Sequence, residues 1–384
     1  MSSACFFNRR TFLNSTLAVA ASAALTGRAS AQSAPAATFL APTPDAPIRV
    51  NFNENALGMS PSAQAAAKDA VVKGNRYAKS EIAQLHEKLC SLYSVPKNYL
   101  LLTDGSSEGI RCLMGAYSRL PKVQLVIPEL TYGDGEHFAN LYGVPVNKVP
   151  MLANWKVDVT GLKKAVDGFD GYSIVYFVNP NNPTSTVTPA SEIEPWIRSK
   201  PDNTLFIADE AYAEYVSDPA FKSLSGLIHE GLDNVVLLKT FSKLFAMAGM
   251  RVGFAVGAPA IIKNMKDHVA GEKLNYPGVT AALVSLDDAP FMDYSRASNL
   301  KSRQIFSKCL DDLGVKYLPS STNFMFFELN EPIGQFQKKM AAKNILVGRP
   351  FPPAMNWCRI SLGTPQEMAY IAGVLRQMRA DGTF

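Results

Sequence analysis

Cysteine is scarce in this chain: five among 384 residues, Cys5, Cys90, Cys112, Cys309 and Cys358, with no C-x-x-C pair and no metal-ligand spacing. A cysteine-held metal is therefore excluded, and no disulfide pairing can be read from the positions. Cys90 and Cys112 fall within helical patterns and read as buried thiols. Runs of lysine or arginine are missing too, as is any patch of interleaved basic and aromatic residues, so nothing points to nucleic acid. No apolar stretch is long enough to anchor the chain in a bilayer; the N-terminal one is broken by Ser22, Thr26 and Gly27. No internal repeat is visible. What remains is an ordinary globular composition, 47% apolar with a mean hydropathy near zero, long enough for a large core in two closely packed domains.

The first 31 residues have a texture of their own. Arg9-Arg10, then Phe12-Leu13, an alanine-rich run and the small-x-small site Ala29-Ser30-Ala31 follow one another without a single acid. An amphipathic surface helix would need an apolar stripe, which is lacking. The stretch resembles a twin-arginine export signal, which implies the twin-arginine export machinery as a partner and a periplasmic mature protein. Its removal takes three arginines and leaves 35 basic against 33 acidic residues, so the whole-chain pI of 8.8 says nothing about acidic partners.

Residues 32–47 are rich in Ala and Pro and read as a linker. Beyond it, the apolar runs LPKVQLVIP, YSIVYFVNP, TLFIADEAY, VVLLKT and GFAVG alternate with helical patterns such as Ile82, Leu85, Leu89, Leu92 and Ile110, Leu113, Met114, Tyr117. The alternation predicts an α/β fold with a largely parallel sheet sandwiched by helices, whose ligands bind at the strand ends. After residue 275 a long polar helical stretch precedes the runs TNFMFFEL, NILVGRPF and WCRISLG, which predict a smaller α+β domain over 276–384. Residues 76–275 form the large domain, and 48–75 an N-terminal arm joined to the small one.

Polar residues collect where the strands end. Gly105, Ser106 and Ser107 open a helix expected over 107–119, whose first N–H groups are a plausible phosphate cradle. Asn182 leaves a strand in the run NPNNP, which forces a turn. Asp209 ends the apolar run FIAD, where a carboxylate needs a partner, and a protonated pyridine nitrogen is one candidate. Lys243 follows VVLLKT among small, hydroxylated and apolar neighbours, with Thr240 and Ser242 before it and Arg251 after it. Desolvation or a nearby cation would lower its pKa and make it a nucleophile, while Ser242 and Arg251 clamp a phosphate.

Together NPNNPT, DEAY and T-F-S-K with a following R-x-G resemble the fold-type I pyridoxal-phosphate aminotransferases of class I/II, most closely the histidinol-phosphate aminotransferase-like branch, over nearly all of residues 48–380. The resemblance implies a seven-stranded-type sheet and pyridoxal 5′-phosphate as cofactor. It implies Lys243 as the Schiff-base lysine that also moves the substrate proton, Asp209 on the pyridinium nitrogen, Asn182 and Tyr212 on the ring oxygen and Tyr132 stacked on the ring. Ser106, Ser107, Thr240, Ser242 and Arg251 fit the phosphate site. Tyr77 matches a tyrosine that reaches the neighbouring subunit, hence a homodimer. Arg359 matches the clamp for the substrate α-carboxylate and Arg349 lies near an arginine for a substrate phosphate. Asn53, Glu54 and Asn55 match the closing arm and Asn323 an asparagine near the cofactor. Two departures, Ala56 for proline and Ser185 for glycine, suggest reshaped substrate-facing loops.

The expected function is amino-group transfer from an amino acid or amino phosphate to a 2-oxo acid acceptor, in two half-reactions. Phe52, Phe351 and Trp357, beside the matched motifs, are candidates for a side-chain pocket favouring an aromatic or apolar substrate. Decarboxylation or racemisation would use the same lysine and ring. A non-catalytic exported binding protein would be free to lose Lys243 or Asp209, and both are present.

Overall fold

Runs such as YSIVYFV and VVLLKT have no polar face to turn to water, so as strands they require a sheet covered on both sides. The computed structural model, which describes residues 39–384 except 202, 272 and 273, contains that sheet. The signal-like residues 1–31 and residues 32–38 of the linker lie outside the described residues. The strands are β1 (Ile48–Val50), β2 (Leu100–Thr103), β3 (Val123–Pro128), β4 (Val146–Val149), β5 (Tyr172–Val178), β6 (Thr204–Asp209), β7 (Val235–Thr240), β8 (Gly253–Gly257), β9 (Phe324–Glu328), β10 (Ile345–Val347) and β11 (Trp357–Ser361). Seven of them form one sheet in the order β2-β8-β7-β6-β5-β3-β4, parallel throughout except that β8 runs against both its neighbours.

Alternate residues of the central strands enter two different cores. Phe206, Ala208, Val235 and Leu237 face one, and Leu205, Ile207, Val236 and Leu238 face the other. Helix Gly105–Tyr117 packs on the second face closely enough that a Cβ on Gly109 would stand 2.8 Å from Leu238 Cδ2. Burying an aliphatic side chain of this size contributes about 1.5–3 kcal/mol, so this double layer supplies most of the drive to fold. Continuous burial of β3, β5, β6, β7 and β8 therefore follows from their composition.

The C-terminal elements carry two small sheets. β9 and β11 pair antiparallel, with Arg359 opposite Phe326. β1 pairs parallel with β10, Ile48 opposite Ile345, which fastens the chain before residue 51 to the C-terminal part. Helices Ala289–Asp312, Ile333–Ala341 and Pro365–Ala380 accompany them, the last begun by a capping box of Thr364 and Glu367. All four described cysteines are buried thiols. Among the described residues no helix is long and apolar enough to cross a membrane.

Candidate active site

The carboxyl ends of β2, β3, β5, β6 and β7 point the same way, and a pocket of about 410 Å³ opens beyond them. Ser106 and Ser107, Tyr132, Asn182, Asp209 and Tyr212, and Thr240, Ser242 and Lys243 reach it from five successive strand exits. Arg251, Arg349 and Arg359 complete it. Four cations and one acid, Asp209, line this space, so it is built for anionic ligands.

One end is an anion cradle. The helix after β2 starts at Gly105, two residues earlier than its periodicity suggests, and presents Ser106 and Ser107 in its first turn. Gly105 has φ +76°, and a Cβ there would stand 2.3 Å from Nη2 of Arg251. Arg251 is itself left-handed, φ +54°, and its guanidinium donates to the carbonyl oxygens of Ala248 (2.9 Å) and Asp104 (3.2 Å). Thr240 Oγ1 donates to Ser242 Oγ at 2.8 Å. Ser107 Oγ donates to Asp134 Oδ2 at 2.6 Å. No carboxylate among the described residues pairs with Arg251, and a helix N-terminus, the Ser106, Thr240 and Ser242 hydroxyls and this guanidinium are donors suited to an anion.

Asp209 lies at the other side of the strand ends, 2% exposed. Its Oδ2 accepts from Tyr176 Oη (2.9 Å) and its Oδ1 from the Ala211 N–H (3.1 Å), but no cation among the described residues forms an ion pair with it. Burial pushes its pKa up to about 6. A protonated ring nitrogen is the partner such a carboxylate lacks.

Lys243, half-buried in the turn after β7, donates from Nζ to the Asn53 carbonyl (3.1 Å) and sits 5.5 Å from the centre of the Tyr212 ring. Tyr212 Oη accepts from Asn53 Nδ2 at 3.1 Å. Asn53 is left-handed, φ +56°, and fully engaged: its N–H donates to Ser361 Oγ at 2.7 Å.

Arg359 projects from β11, 8% exposed. Its Nη1 donates to Asn182 Oδ1 (2.8 Å) and its Nη2 to the Asn51 carbonyl (2.7 Å), while Nε is buried without a partner. Burial pushes its pKa down to about 10, and Arg349 acts in the same direction. An anion would satisfy the orphaned Nε and restore the usual pKa. Arg349 donates to the Pro350 carbonyl and also lines the pocket. The guanidinium carbons of Arg349 and Arg359 lie 4.3 and 4.9 Å from the centre of the Phe351 ring.

Some expected residues stand elsewhere. Asn55 does not line this pocket: its Nδ2 donates to the Lys243 and Leu244 carbonyls, Ser295 Oγ and Tyr215 Oη, clasping the lysine's backbone from behind. Asn323 donates to the Asn53 and Glu54 carbonyls and so holds the arm. Gly105 shapes the cradle without lining it. Tyr77 is 69% exposed and outside the pocket of its own chain. Trp357, offered as a pocket wall, is buried against Phe326, ring centres 5.1 Å apart, and does not reach the space. Phe52 and Phe351 do line it, but Phe351 is flanked by two guanidinium groups and so is no apolar wall. Asn51, Thr131, Gln337 and Val347 also line the pocket without having been marked by any motif. Asn181 braces one wall, accepting from Thr131 Oγ1 and donating to the Leu130 carbonyl.

Residues 47–375 match the model of the aminotransferase class I and II family. Histidinol-phosphate aminotransferases of Granulibacter bethesdensis and Symbiobacterium thermophilum are 32% and 30% identical, each over 87% of this chain and 90% and 91% of their own. A crystal structure from Erwinia carotovora atroseptica, of a protein provisionally named a histidinol-phosphate aminotransferase, is 58% identical with a TM-score of 0.89, covering 90% of this chain and all of that one. The histidinol-phosphate aminotransferase of Sinorhizobium meliloti, solved with pyridoxal-5′-phosphate, shares the fold at 24% identity and a TM-score of 0.79, over 86% and 90% of the two chains. A buried acid without an ion-pair partner among the described residues, a cluster of anion donors and a lysine between them fit that cofactor on their own chemistry. The chain belongs to the aminotransferase class I and II family and is a pyridoxal-phosphate-dependent aminotransferase.

Proposed function

We propose that Ser106, Ser107, Thr240, Ser242 and Arg251 hold the cofactor phosphate, that Asp209 faces the ring nitrogen, that Tyr212 and Asn182 face the ring oxygen, and that Tyr132 covers the ring. The bound cofactor supplies an electron-withdrawing ring that stabilises negative charge at the substrate α-carbon. Asp209, anionic beside a cationic nitrogen, keeps that ring protonated. Lys243 Nζ is the amine of covalent attachment, and once free it takes the α-proton and returns it. Asn55 and Asn53 fix the backbone and the ammonium of that lysine, so little motion is needed for the transfer.

The observation that carries the substrate side is the buried Arg359 guanidinium, whose Nε has no partner and which has no carboxylate beside it among the described residues, next to a second arginine without a carboxylate, Arg349. We infer that Arg359 takes an anionic group of the amino substrate, and Arg349 a second one. The relatives named above act by name on a substrate carrying a phosphate, which supports a dianionic amino acid or an amino phosphate over an aromatic one. The test adds single amino acids and amino phosphates to the purified enzyme without an acceptor. A true donor bleaches the visible absorbance of the bound cofactor stoichiometrically, and a 2-oxo acid restores it. Recovery without any acceptor, with loss of carbon dioxide, would replace transamination by decarboxylation.

We further propose a homodimer and export by the twin-arginine route. Val71, Val72 and Tyr77 are exposed by 64%, 82% and 69%, an apolar patch suited to a second subunit. Sedimentation at low micromolar concentration tests the dimer; a monomer that retains full activity would sink it. Replacing Arg9 and Arg10 with lysine should trap the protein in the cytoplasm, and unchanged export would refute the route.

A further inference from the structure

Lys239 is the next-to-last residue of β7, one position before Thr240. Strand alternation puts it on the face of Leu237, away from the pocket, where it is 5% exposed. An interior lysine is costly unless it is paired. Its ammonium lies 2.5 Å from Glu214 Oε1 and donates to the Glu210 carbonyl at 3.1 Å. These two partners bracket a five-residue turn, Glu210 to Glu214, and Tyr212 is its middle residue.

The turn has few other internal ties. The Ala213 N–H shares the Glu210 carbonyl (3.1 Å), and the Tyr215 N–H donates to the Tyr212 carbonyl (3.0 Å). From outside, the Glu210 N–H donates to the Leu238 carbonyl (3.0 Å) and Glu210 Oε1 accepts from the Leu224 N–H (2.8 Å), which hold the start of the turn, while at its far end Arg296 Nε on helix Ala289–Asp312 donates to the Glu214 carbonyl at 3.0 Å. The turn in turn places the arm, since Tyr212 Oη meets Asn53 and Tyr215 Oη meets Asn55, the two residues that engage Lys243. A buried ion pair is often no more stabilising than apolar packing of the same volume. What this one supplies is a fixed location for a short loop.

We propose that Lys239 is a positioning residue: through the Glu210 carbonyl and the Glu214 carboxylate it sets the turn that carries Tyr212, and the reaction depends on it only through that turn. The inference rests on the reading above in giving Tyr212 its place at the reacting groups.

The test uses the purified full-length enzyme with its cofactor and the variants Lys239→Met, Lys239→Arg and Glu214→Ala. Lys239→Met and Glu214→Ala should speed hydrogen exchange at the amides of Ala211, Ala213 and Tyr215 about 10-fold or more while the amides of β6 and β7 keep their parent rates. The same variants should lower kcat about 10- to 100-fold with KM changed little, the signature of displaced catalytic groups. Lys239→Arg should recover both. In a Tyr212→Phe background Lys239→Met should cost kcat little more, because both act through one group. Exchange unchanged at the three amides, exchange raised equally across the sheet, or losses that add independently would each overturn the proposal. Glu210 loses its nearest cation in Lys239→Met; if that variant does not fold, Glu214→Ala carries the test, because Glu214 is 22% exposed. Tyr212→Phe with parent kcat would instead remove Tyr212 from the site and leave the exchange result standing.

Discussion

Asp209 carries a cost in the cofactor-free protein that replacement by asparagine should reveal. Its pKa is about 6 in the fold against an ordinary 3.8, and burial is the main cause. The folded state therefore binds the proton more tightly than the unfolded chain. Stability from this group is complete below pH 3.8, falls as pH rises from there through 6, and stays reduced above. Two pK units correspond to about 3 kcal/mol at pH 8, roughly half of that at pH 5 and little at pH 4.

Asparagine has nearly the same shape and no charge to desolvate. Its Oδ1 accepts the Ala211 N–H, and its Nδ2 donates to Tyr176 Oη, which can accept as readily as donate. Asp209→Asn should thus stabilise the cofactor-free protein by about 3 kcal/mol at pH 8. With an unfolding entropy of about 2.1 cal/mol/K per residue over about 350 residues, that is about 4 °C in Tm. Urea or thermal unfolding at pH 8 and pH 4, after stripping the cofactor with hydroxylamine, measures it. The gain should shrink to near zero at pH 4, and loading the cofactor should reverse the order of stability at pH 8. An asparagine variant no more stable than the parent at pH 8, or a gain independent of pH, refutes the reasoning.

Lys243→Ala should abolish turnover, checked by product formation without added amine, while equilibrium dialysis still finds cofactor bound. Arg359→Lys replaces a planar fork by a point charge and should raise KM for carboxylate donors about 10- to 100-fold, read by steady-state kinetics. Gly105→Ala drives the Arg251 guanidinium off its place and should weaken cofactor binding about 10-fold or more, while costing stability only about as much as Gly143→Ala, whose φ is also positive but whose Cβ would meet nothing. Arg349→Gln should raise KM for dianionic donors about 10-fold and leave singly charged donors unchanged, which a donor panel resolves.

The parts of the site that stand at strand ends were legible because an apolar run must be buried, and a polar residue ending it must then have a reason. Asp209 after FIA and Lys243 after VVLLKT stood out on those grounds. β3, β5, β6, β7 and β8 were legible for the same reason. β1 and β2 were not, with three and four residues, nor was β4, whose sequence VNKV carries two exposed polar residues at the sheet edge. Gln337 and Asn51 reach the pocket from a helix and an arm whose local patterns say nothing of it. Asn181 and Asn182 are indistinguishable in sequence, yet one braces the Leu130–Thr131 loop and the other faces Arg359. Ser185 was legible as a departure, and its meaning is geometric: it holds φ +65° in spite of its side chain, and its hydroxyl ties to Ser320 and Thr322 ahead of β9.

The proposed substrate class shows how a reading from residue type changes once the neighbours are known. Phe351 suggests an apolar subsite as long as its neighbours are unknown. An aromatic face, however, carries negative charge density and attracts cations, at about 0.5–2 kcal/mol for each one placed over it. With Arg349 and Arg359 both within 5 Å of the ring centre, Phe351 spreads its surface beneath two guanidinium groups and holds them in place despite their mutual repulsion. Neither arginine has a carboxylate partner among the described residues; their donors reach neutral oxygens of Asn182, Asn51 and Pro350, so the charge of each is met by the ring and left open to an anionic ligand. On the reading proposed above, such a pocket would disfavour an apolar side chain, which would take both charges further from water without adding a counter-charge, and favour a group that brings its own negative charge. Phe351→Leu should therefore weaken anionic donors by loosening both arginines, rather than improve aliphatic ones by enlarging an apolar space. Steady-state kcat/KM for an anionic and an aliphatic donor decides between the two, and a rise for the aliphatic donor alone would overturn the anionic reading.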